Sequence, residues 1–326
     1  MIESELLRGV LAGLIASGTA LFLRTFARDA GWTDDGSEAP ERKIQRAAVP
    51  LVGGVAVFLG LWFLAGSTPV NSEGGVMAPW PAGFALHVVR GYSGVALLGA
   101  LLLGAIDDRA RVGLRPSIKF AGQLAIAVLC ARDALDVVGT PSIEHALACG
   151  TIALLAMNAF NTFDNADGCA TSLAALGLGV VSPLLAAPLL GFLPFNLWLR
   201  RTAPDGSTTP LAYLGDAGSH LLGVLVALTP GAWPVLALPL LDLARLSVVR
   251  WKRGSRPWIG DRRHLAHRLQ ARGLGPTAVV LALLAVAAPS VLGGAFAVAA
   301  PWALAAGFAG TLALFLAALA LTPDVP

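Results

Sequence analysis

Long stretches without charge constrain this chain more than any other feature of its sequence. Residues 273–323 contain no Asp, Glu, Lys or Arg, and neither do residues 168–199, 47–72 and 217–241. A helix that crosses a bilayer needs about 20 mostly apolar residues, so these runs hold several such lengths. Only 13% of the residues are charged, against roughly 25% in an ordinary soluble domain. A soluble fold, a disordered chain and a secreted disulfide scaffold are therefore excluded, and a multi-pass membrane protein is predicted.

The membrane also restricts the secondary structure. An open sheet cannot satisfy its backbone hydrogen bonds in lipid, which leaves helices as the expected element. We therefore predict an all-α transmembrane bundle of about 10–11 spans, in a single integral-membrane domain that covers residues 1–326. The apolar runs place the spans at residues 6–26, 50–66, 90–106, 117–131, 144–161, 169–182, 184–199, 217–229, 232–249, 277–295 and 300–321.

The distribution of basic residues predicts the orientation. When the loops are assigned to alternating sides, nineteen of the 23 Lys and Arg residues fall on one side. An excess of Lys and Arg marks the cytoplasmic side, so the N-terminus is predicted outside and the C-terminus in the cytoplasm. This assignment requires residues 169–199 to cross twice, as a short hairpin that turns at Pro183. A single kinked span is the alternative, and it would invert everything downstream.

Five aspartates stand at the predicted cytoplasmic ends of spans: Asp107, Asp108, Asp164, Asp167 and Asp216. Carboxylates at membrane ends are costly unless they pair or coordinate, which makes them candidates for function. The adjacent Asp107 and Asp108 repel one another unless a cation such as Mg²⁺ or a nearby Arg or Lys holds both. A pair of solvated loop residues is the alternative.

Two further patterns surround the other aspartates. Asn158, Asn161, Asp164 and Asp167 recur every three residues and share one helical face, which suits a base, a sugar or a metal. Alternatively, these residues form a capped helix end and face neighbouring helices. Glycines flank Asp216 and permit close approach of a ligand. Mg²⁺ favours one or two carboxylates together with substrate phosphates, which fits Asp216 beside Asp107 or Asp108. A simple N-cap aspartate fits Asp216 equally well.

A basic loop at residues 250–268 carries His264 and His267 three positions apart. These histidines could contact phosphates, whereas attraction of the loop to anionic lipid headgroups is the simpler interpretation. No third ligand stands at a spacing that suits zinc. Because the basic residues lie between hydrophobic runs, the net charge of +3 predicts no nucleic-acid partner. No phosphate-binding P-loop or nucleophilic serine elbow is present in the sequence.

Taken in order, these motifs resemble the polyprenyl-phosphate N-acetylhexosamine-1-phosphate transferases of glycosyltransferase family 4. The resemblance runs from about residue 42 to 275, and residues 276–326 are predicted to form two C-terminal transmembrane helices. The last motif looks more like the N-acetylglucosamine branch than the phospho-N-acetylmuramoyl-pentapeptide translocases, which carry adjacent histidines there. The matching motifs are Arg42-Lys43 with Pro50-Leu51-Val52-Gly53-Gly54, Asp107-Asp108 followed by Lys119, Asn161-x-x-Asp164-x-x-Asp167-Gly168, Gly215-Asp216-x-Gly218-Ser219, and Asp261-Arg262-Arg263-His264-x-x-His267.

The resemblance implies a reaction and its partners. A Mg²⁺-dependent enzyme, with Mn²⁺ as the alternative ion, would transfer a sugar-1-phosphate from a UDP-sugar to undecaprenyl phosphate and release UMP. The reaction would take place at the cytoplasmic face of the bacterial inner membrane and start a lipid-linked glycan or cell-wall polymer. The lipid bilayer is the implied environment, and a homodimer is left open.

Roles carry over by position within the matching motifs. Asp107 would be the base or nucleophile, Asp108 its partner near the metal, and Asp216 the principal Mg²⁺ ligand. Direct attack and an aspartyl-phosphate intermediate both stay open. The uridine side would be held by Asn161, Asp164 and Asp167, with Tyr213 stacking on uracil, and the phosphates would be contacted by Lys43, Lys119, His264 and His267.

Some positions depart from the family pattern. Asn165 and Ala166 replace the usual Gly-Leu between the aspartates, and residues 202–210 look like an insertion. These departures leave the metal chemistry intact and bear on the sugar preference. The competing hypotheses are a secondary transporter, which would place ionisable groups near the bilayer midplane, a CDP-alcohol phosphotransferase, and an inactive relative that only binds polyprenyl phosphate.

Overall fold

A computed structural model describes residues 2–34, 48–67, 91–110, 113–137, 142–202, 206–256 and 261–325 of the chain. These residues form twelve α-helices and very little sheet, which confirms the prediction of an all-α, multi-pass membrane protein. The helices are α1 Ile2–Asp29, α2 Gly53–Ser67, α3 Gly91–Arg109, α4 Pro116–Val137, α5 Ile143–Phe163, α6 Cys169–Val181, α7 Pro183–Leu193, α8 Gly215–Ala227, α9 Ala237–Lys252, α10 Leu265–Ala271, α11 Pro276–Phe296 and α12 Trp302–Leu321.

The irregular elements lie next to these helices. A π-helical turn at Pro194–Trp198 continues α7, and a 3₁₀ turn at Pro230–Leu236 leads into α9. Four short strands pair in two antiparallel ladders, β1 with β2 and β3 with β4. Their bounds are β1 Thr33–Asp34, β2 Val49–Pro50, β3 Arg200–Thr202 and β4 Thr208–Pro210.

Each of the eleven predicted spans falls on one of these helices, and the short α10 is the additional helix, in the basic loop. Within the described residues, six helical stretches are long and apolar enough to cross a membrane. They are α1, α3, α5, α9 together with its 3₁₀ turn, α11 and α12. The number of spans and the orientation of the termini stay predictions.

The segment between Asp167 and Arg200 is a hairpin of two helices. Its legs, α6 and α7, have 13 and 11 residues, so each is about 20 Å long or less at helical rise. Ser182 between them is extended, as expected of a residue before a proline. A 2.7 Å ion pair between Arg200 and Asp167 joins the two open ends. The segment is therefore a helical hairpin, and its two membrane crossings stay a prediction.

The helix α8 is at the centre of the bundle, and all but one of its residues are buried. Glycines on two neighbouring helices, and one on α8 itself, allow close approach to three helices. A Cβ at Gly54 of α2 would lie 2.6 Å from the backbone nitrogen of Gly218, and a Cβ at Gly223 would lie 2.6 Å from Met157 of α5. A Cβ at Gly104 of α3 would overlap the carbonyl of Asp216. The start of α8 is therefore in backbone contact with two other helices.

The C-terminal end of α12 is held by α10. The last carbonyls of a helix have no partner within the helix. The Arg268 guanidinium donates to the carbonyl oxygens of Leu319 and Thr322 at 2.6 and 2.7 Å, and it also pairs with Asp324. The basic loop and the C-terminus therefore lie at the same end of the bundle, as the charge distribution predicts.

We expect Gly104→Ala to destabilise the protein, because its new Cβ would overlap the start of α8. Overpacking of this kind costs about 1–3 kcal/mol. The matched control is Gly99→Ala on the same helix, where a Cβ would meet Ile126 at an ordinary 3.4 Å. Thermal unfolding in detergent should give a lower Tm for Gly104→Ala and an unchanged or higher one for Gly99→Ala. Equal melting temperatures would contradict the packing described for α8.

Candidate active site

Four helices bring a lysine, two carboxylates and an amide into one cluster. Lys119 Nζ, near the start of α4, donates to Asp107 Oδ2 at 2.6 Å and to Asp216 Oδ2 at 2.7 Å. Asn161, near the end of α5, donates from Nδ2 to Asp216 Oδ1 at 2.7 Å. Asp107 is near the end of α3, and Asp216 is in the first turn of α8. Segments separated by more than a hundred residues thus meet at one end of the bundle, as the sequence predicts for these aspartates.

The two carboxylates differ in accessibility. The Asp107 side chain is 8% exposed, and its Oδ1 accepts a hydrogen bond from the Leu114 backbone N–H. The Asp216 side chain is 34% exposed. Of the two, Asp216 is therefore the carboxylate that an ion or a substrate reaches more easily.

Asp108 supports the start of α8. Its Oδ1 and Oδ2 accept hydrogen bonds from the backbone N–H groups of Asp216 and Ala217, at 2.8 and 3.0 Å. These groups lack partners within the helix, and a carboxylate at a helix N-terminus also interacts favourably with the helix dipole. Gly215 has a φ of 76°, and a Cβ there would lie 2.7 Å from Asp108 Oδ2. Asp108 therefore fixes the backbone position of Asp216.

A buried polar chain supports Asp216 from behind. His220 Nδ1 lies 2.7 Å from the carbonyl oxygen of Asp216, and its Nε2 lies 3.0 Å from Gln123 Nε2. A carbonyl only accepts, so Nδ1 carries the proton and Nε2 accepts from the amide, which gives a neutral imidazole. Gln123 Oε1 in turn accepts from Asn158 at 3.0 Å. His220 is fully buried, so its side chain points into the bundle.

The predicted uridine-binding residues lie at the end of α5, in the loop after it and in the loop before α8. Asp167 is paired with Arg200. In the described ranges, no residue forms a hydrogen bond with the Asp164 carboxylate. Burial raises the pKa of Asp164 well above its ordinary value, and the charges of Asp216 and Asp108 raise that pKa further. Burial likewise raises the pKa of Asp167, against the effect of Arg200.

Tyr213 connects this region to α2. Its backbone N–H donates to the carbonyl of Pro50 at 2.8 Å, and its carbonyl accepts from the Gly53 N–H at 3.0 Å. The side chain is partly buried, and burial raises the pKa of its hydroxyl, with a further contribution from the charge of Asp167. Tyr213 therefore lies in the same region as the acidic loop, and its stacking on uracil stays a prediction.

His264 and His267 belong to a separate cluster. His264 Nδ1 lies 3.0 Å from Asp242 Oδ2, and Asp242 also pairs with Arg245 at 2.9 Å. His267 Nδ1 contacts Gln270 at 3.0 Å. Across the described ranges, no hydrogen bond or ion pair joins these histidines to the aspartate cluster. The contact of these histidines with phosphates stays a prediction. Lys43, which is also predicted to contact a phosphate, lies outside the described residues.

Two functional candidates were missed at the level of sequence. Asp242 lies inside an apolar run and is only 1% exposed. Its signal in the sequence is Arg245, three residues later, since opposite charges at that spacing face one another on a helix. In the sequence, Arg200 is one of the basic residues that follow an apolar run, and no local pattern connects it with Asp167.

The cluster fits a magnesium site of the kind that substrate completes. In the described part of the chain, no three His, Cys, Asp or Glu side chains are grouped so that they could hold a metal by themselves. Mg²⁺ is ordinarily held by one or two carboxylates plus substrate phosphates. Asp107 and Asp216 both bind the Lys119 ammonium, so the accepting oxygens lie within about 5 Å of one another. Both oxygens of Asp108 already accept backbone hydrogen bonds, and its metal role stays a prediction.

Known proteins are similar to the part of the chain that contains this site. The sequence model of Glycosyl transferase family 4 matches residues 92–231. The decaprenyl-phosphate N-acetylglucosaminephosphotransferase of Mycobacterium tuberculosis is 29% identical over 306 residues, which cover 74% of this chain and 70% of that protein. Residues 92–231 of this chain are therefore similar to glycosyl transferase family 4. The matched segment includes the aspartate cluster, Arg200 and Tyr213. It excludes Lys43, His264 and His267.

Other relatives of this chain carry similar names. The undecaprenyl-phosphate alpha-N-acetylglucosaminyl 1-phosphate transferase of Yersinia pestis is 27% identical, over 77% of this chain and 74% of its own length. The protein of the same name from Escherichia coli is 25% identical, over 84% of this chain and 80% of its own length. The resemblance that the motifs predict is therefore confirmed.

We expect the stability of the metal-free protein to depend on pH through Asp164. An acid whose pKa is raised on folding favours the protonated folded state, so the free energy of unfolding falls as the pH rises above about 4, the ordinary aspartate value. Asp164→Asn cannot ionise. Its Tm should exceed that of the wild type at pH 8 and approach it near pH 4.

The matched control for this measurement is Asp29→Asn, at the exposed end of α1. A difference between Asp164→Asn and the wild type that is constant from pH 4 to pH 8 would contradict a raised pKa at Asp164.

We expect Asp242→Ala to be strongly destabilising, because it leaves Arg245 and His264 without their buried carboxylate. Removal of one partner of a buried ion pair costs about 3–5 kcal/mol. Thermal unfolding in detergent should show a large drop in Tm, with little change for Asp29→Ala. A Tm within a degree of the wild type would mean that the Asp242 cluster does not hold the basic loop on α9.

Proposed function

We propose that this protein transfers N-acetylglucosamine-1-phosphate, or a closely related N-acetylhexosamine-1-phosphate, from a UDP-sugar to undecaprenyl phosphate. UMP is released, and the lipid-linked product starts a glycan or cell-wall polymer. The site would face the cytoplasm at the bacterial inner membrane. The observation that carries the proposal is the convergence of Asp107, Lys119, Asn161 and Asp216 at the ends of four helices.

The bond changes define what the site must do. An oxygen of the lipid phosphate, or the Asp107 carboxylate in a two-step route, forms a bond to the phosphorus that bears the sugar. The bond from that phosphorus to the bridging oxygen breaks, and UMP leaves with the bridging oxygen. In the two-step route, an oxygen of the lipid phosphate then attacks the same phosphorus, and the bond from phosphorus to the Asp107 carboxylate breaks. Charge accumulates around the phosphorus in both routes, so catalysis depends mainly on alignment and electrostatic stabilisation.

The chain's own residues suit these tasks. Lys119 offsets the negative charge of Asp107 and Asp216, which would otherwise repel an anionic substrate. Asn161 orients Asp216 through its amide, and Asp108 holds the backbone of Asp216. Asp216, with Asp107 beside it, is the group that would hold Mg²⁺. The ion, when bound, would neutralise charge on the diphosphate.

The test is a reconstituted assay with Asp216→Asn. Membranes that contain the protein should convert UDP-N-acetylglucosamine and undecaprenyl phosphate into a butanol-extractable lipid and UMP, only with Mg²⁺ or Mn²⁺. Asp216→Asn should lower the rate by at least about 100-fold, because the ion's electrostatic contribution is several kcal/mol. Asp29→Asn, which removes a carboxylate from the exposed end of α1, is the matched control and should keep full activity.

Two results would contradict the proposal. Full activity of Asp216→Asn would show that the metal ligand is wrongly assigned. Absence of lipid product across a panel of UDP-sugars would show that the reaction itself is wrong.

A further inference from the structure

The hairpin formed by β3 and β4 packs against the acidic loop after α5. Arg200 pairs with Pro210, and Thr202 pairs with Thr208, so the hairpin begins directly after the π-helical turn that ends α7. Beyond the hairpin, the Leu211 N–H donates to the carbonyl of Leu199 at 2.9 Å. The segment that departs from the family pattern in sequence is therefore tied at its base to the site.

The Arg200 guanidinium is engaged on two sides. On one side, NH1 contacts Asp167 Oδ2 at 2.7 Å. On the other side, Nε donates to Thr208 Oγ1 at 3.2 Å, and NH2 donates to the Thr208 carbonyl at 3.0 Å. All three nitrogens are used, so this arginine is held as a planar bridge between the hairpin and the acidic loop.

Asp167 keeps one oxygen for another partner. Arg200 binds Oδ2, and in the described ranges no hydrogen bond reaches Oδ1. The Asp167 side chain is 18% exposed. The next residue, Gly168, has a φ of 73°, and a Cβ there would meet Leu197 at 3.0 Å. The backbone turn and the arginine together restrict the position of the free oxygen.

The neighbouring Arg201 provides a contrast within the same strand. Successive side chains of a strand point to opposite faces, so Arg201 points away from Asp167. Arg201 is exposed, whereas Arg200 is partly buried. The two residues carry the same charge one position apart, and they differ in whether they contact the acidic loop.

We propose that Arg200 is a positioning residue for the nucleotide, acting through Asp167. Arg200 holds the Asp167 carboxylate so that its free oxygen accepts a hydrogen bond from the uridine moiety. It also offsets the Asp167 charge, which would otherwise repel an anionic diphosphate substrate. This inference rests on the proposed function, and it makes the β3–β4 hairpin a determinant of nucleotide affinity.

The test compares Arg200→Ala with Arg201→Ala in the full-length protein in detergent. With UDP-N-acetylglucosamine, Arg200→Ala should raise KM about tenfold, and it should raise the inhibition constant of UMP by a similar factor. The kcat and the KM for undecaprenyl phosphate should stay within about twofold of the wild type. Arg201→Ala should leave all four constants unchanged, and Arg200→Lys should recover part of the lost affinity. These factors correspond to about 1.4 kcal/mol for each tenfold change.

A double-mutant cycle separates positioning from a general structural role. If Arg200 acts through Asp167, then Arg200→Ala should add little to the KM of Asp167→Asn. The inference would be overturned if the KM of the double variant rose by the product of the two single rises. It would also be overturned if Arg200→Ala raised the KM for UDP-N-acetylglucosamine and the KM for undecaprenyl phosphate equally, or if Arg200→Ala and Arg201→Ala behaved identically. If Arg200→Ala does not purify as a folded protein, Arg200→Lys takes its place in the cycle.

A binding measurement distinguishes failure of the inference from failure of the proposed function. UMP should raise the Tm of the wild type and of Arg201→Ala, and it should raise that of Arg200→Ala much less. A wild type that binds UMP but forms no lipid product would contradict the proposed reaction alone. Equal UMP-induced shifts in all three proteins, or no shift in any of them, would overturn the inference whatever the activity.

Discussion

The ammonium of Lys119 between two carboxylates is the interaction on which the site depends. Asp107 and Asp216 come from helices that are distant in the chain, and two carboxylates at this separation repel one another unless a cation lies between them. Lys119 lets them approach in the protein without substrate, and Asn161 satisfies the remaining oxygen of Asp216. The same arrangement places the two carboxylates close together, as the proposed divalent-ion site requires.

This arrangement requires α8 to be placed accurately, and two kinds of contact achieve that. Glycines at positions 54 and 104 let neighbouring helices touch its backbone, and Asp108 accepts hydrogen bonds from its first N–H groups. Packing and polar contacts act on the same few atoms, because Gly104 lies beside the carbonyl of Asp216 and Asp108 binds its N–H. The orientation of Asp216 therefore follows from backbone contacts as much as from its own side chain.

The charged groups divide into regions with different environments. The Lys119 cluster contains one cation for two carboxylates and is partly open, while Asp167 has its own arginine and Asp242 is enclosed with Arg245 and His264. Among the described residues, Asp164 has no cationic side chain as a hydrogen-bond partner, and burial raises the pKa of its carboxyl. An unpaired carboxylate beside paired ones is suited to gain a partner when substrate or an ion arrives.

The sequence by itself determined the fold class and the elements. Uncharged runs long enough for helices predicted all eleven spans, since lipid excludes open sheets, and the positions of Asp107, Asp164 and Asp216 at span ends predicted their clustering. Only the tertiary structure decided the pairings. Arg200 with Asp167, Asp242 with His264, and Asp108 with the α8 backbone join residues from separate segments, and no local periodicity encodes a contact across a bundle. Hydropathy reports where a residue lies relative to lipid, whereas the partner of a buried charge depends on how the helices pack.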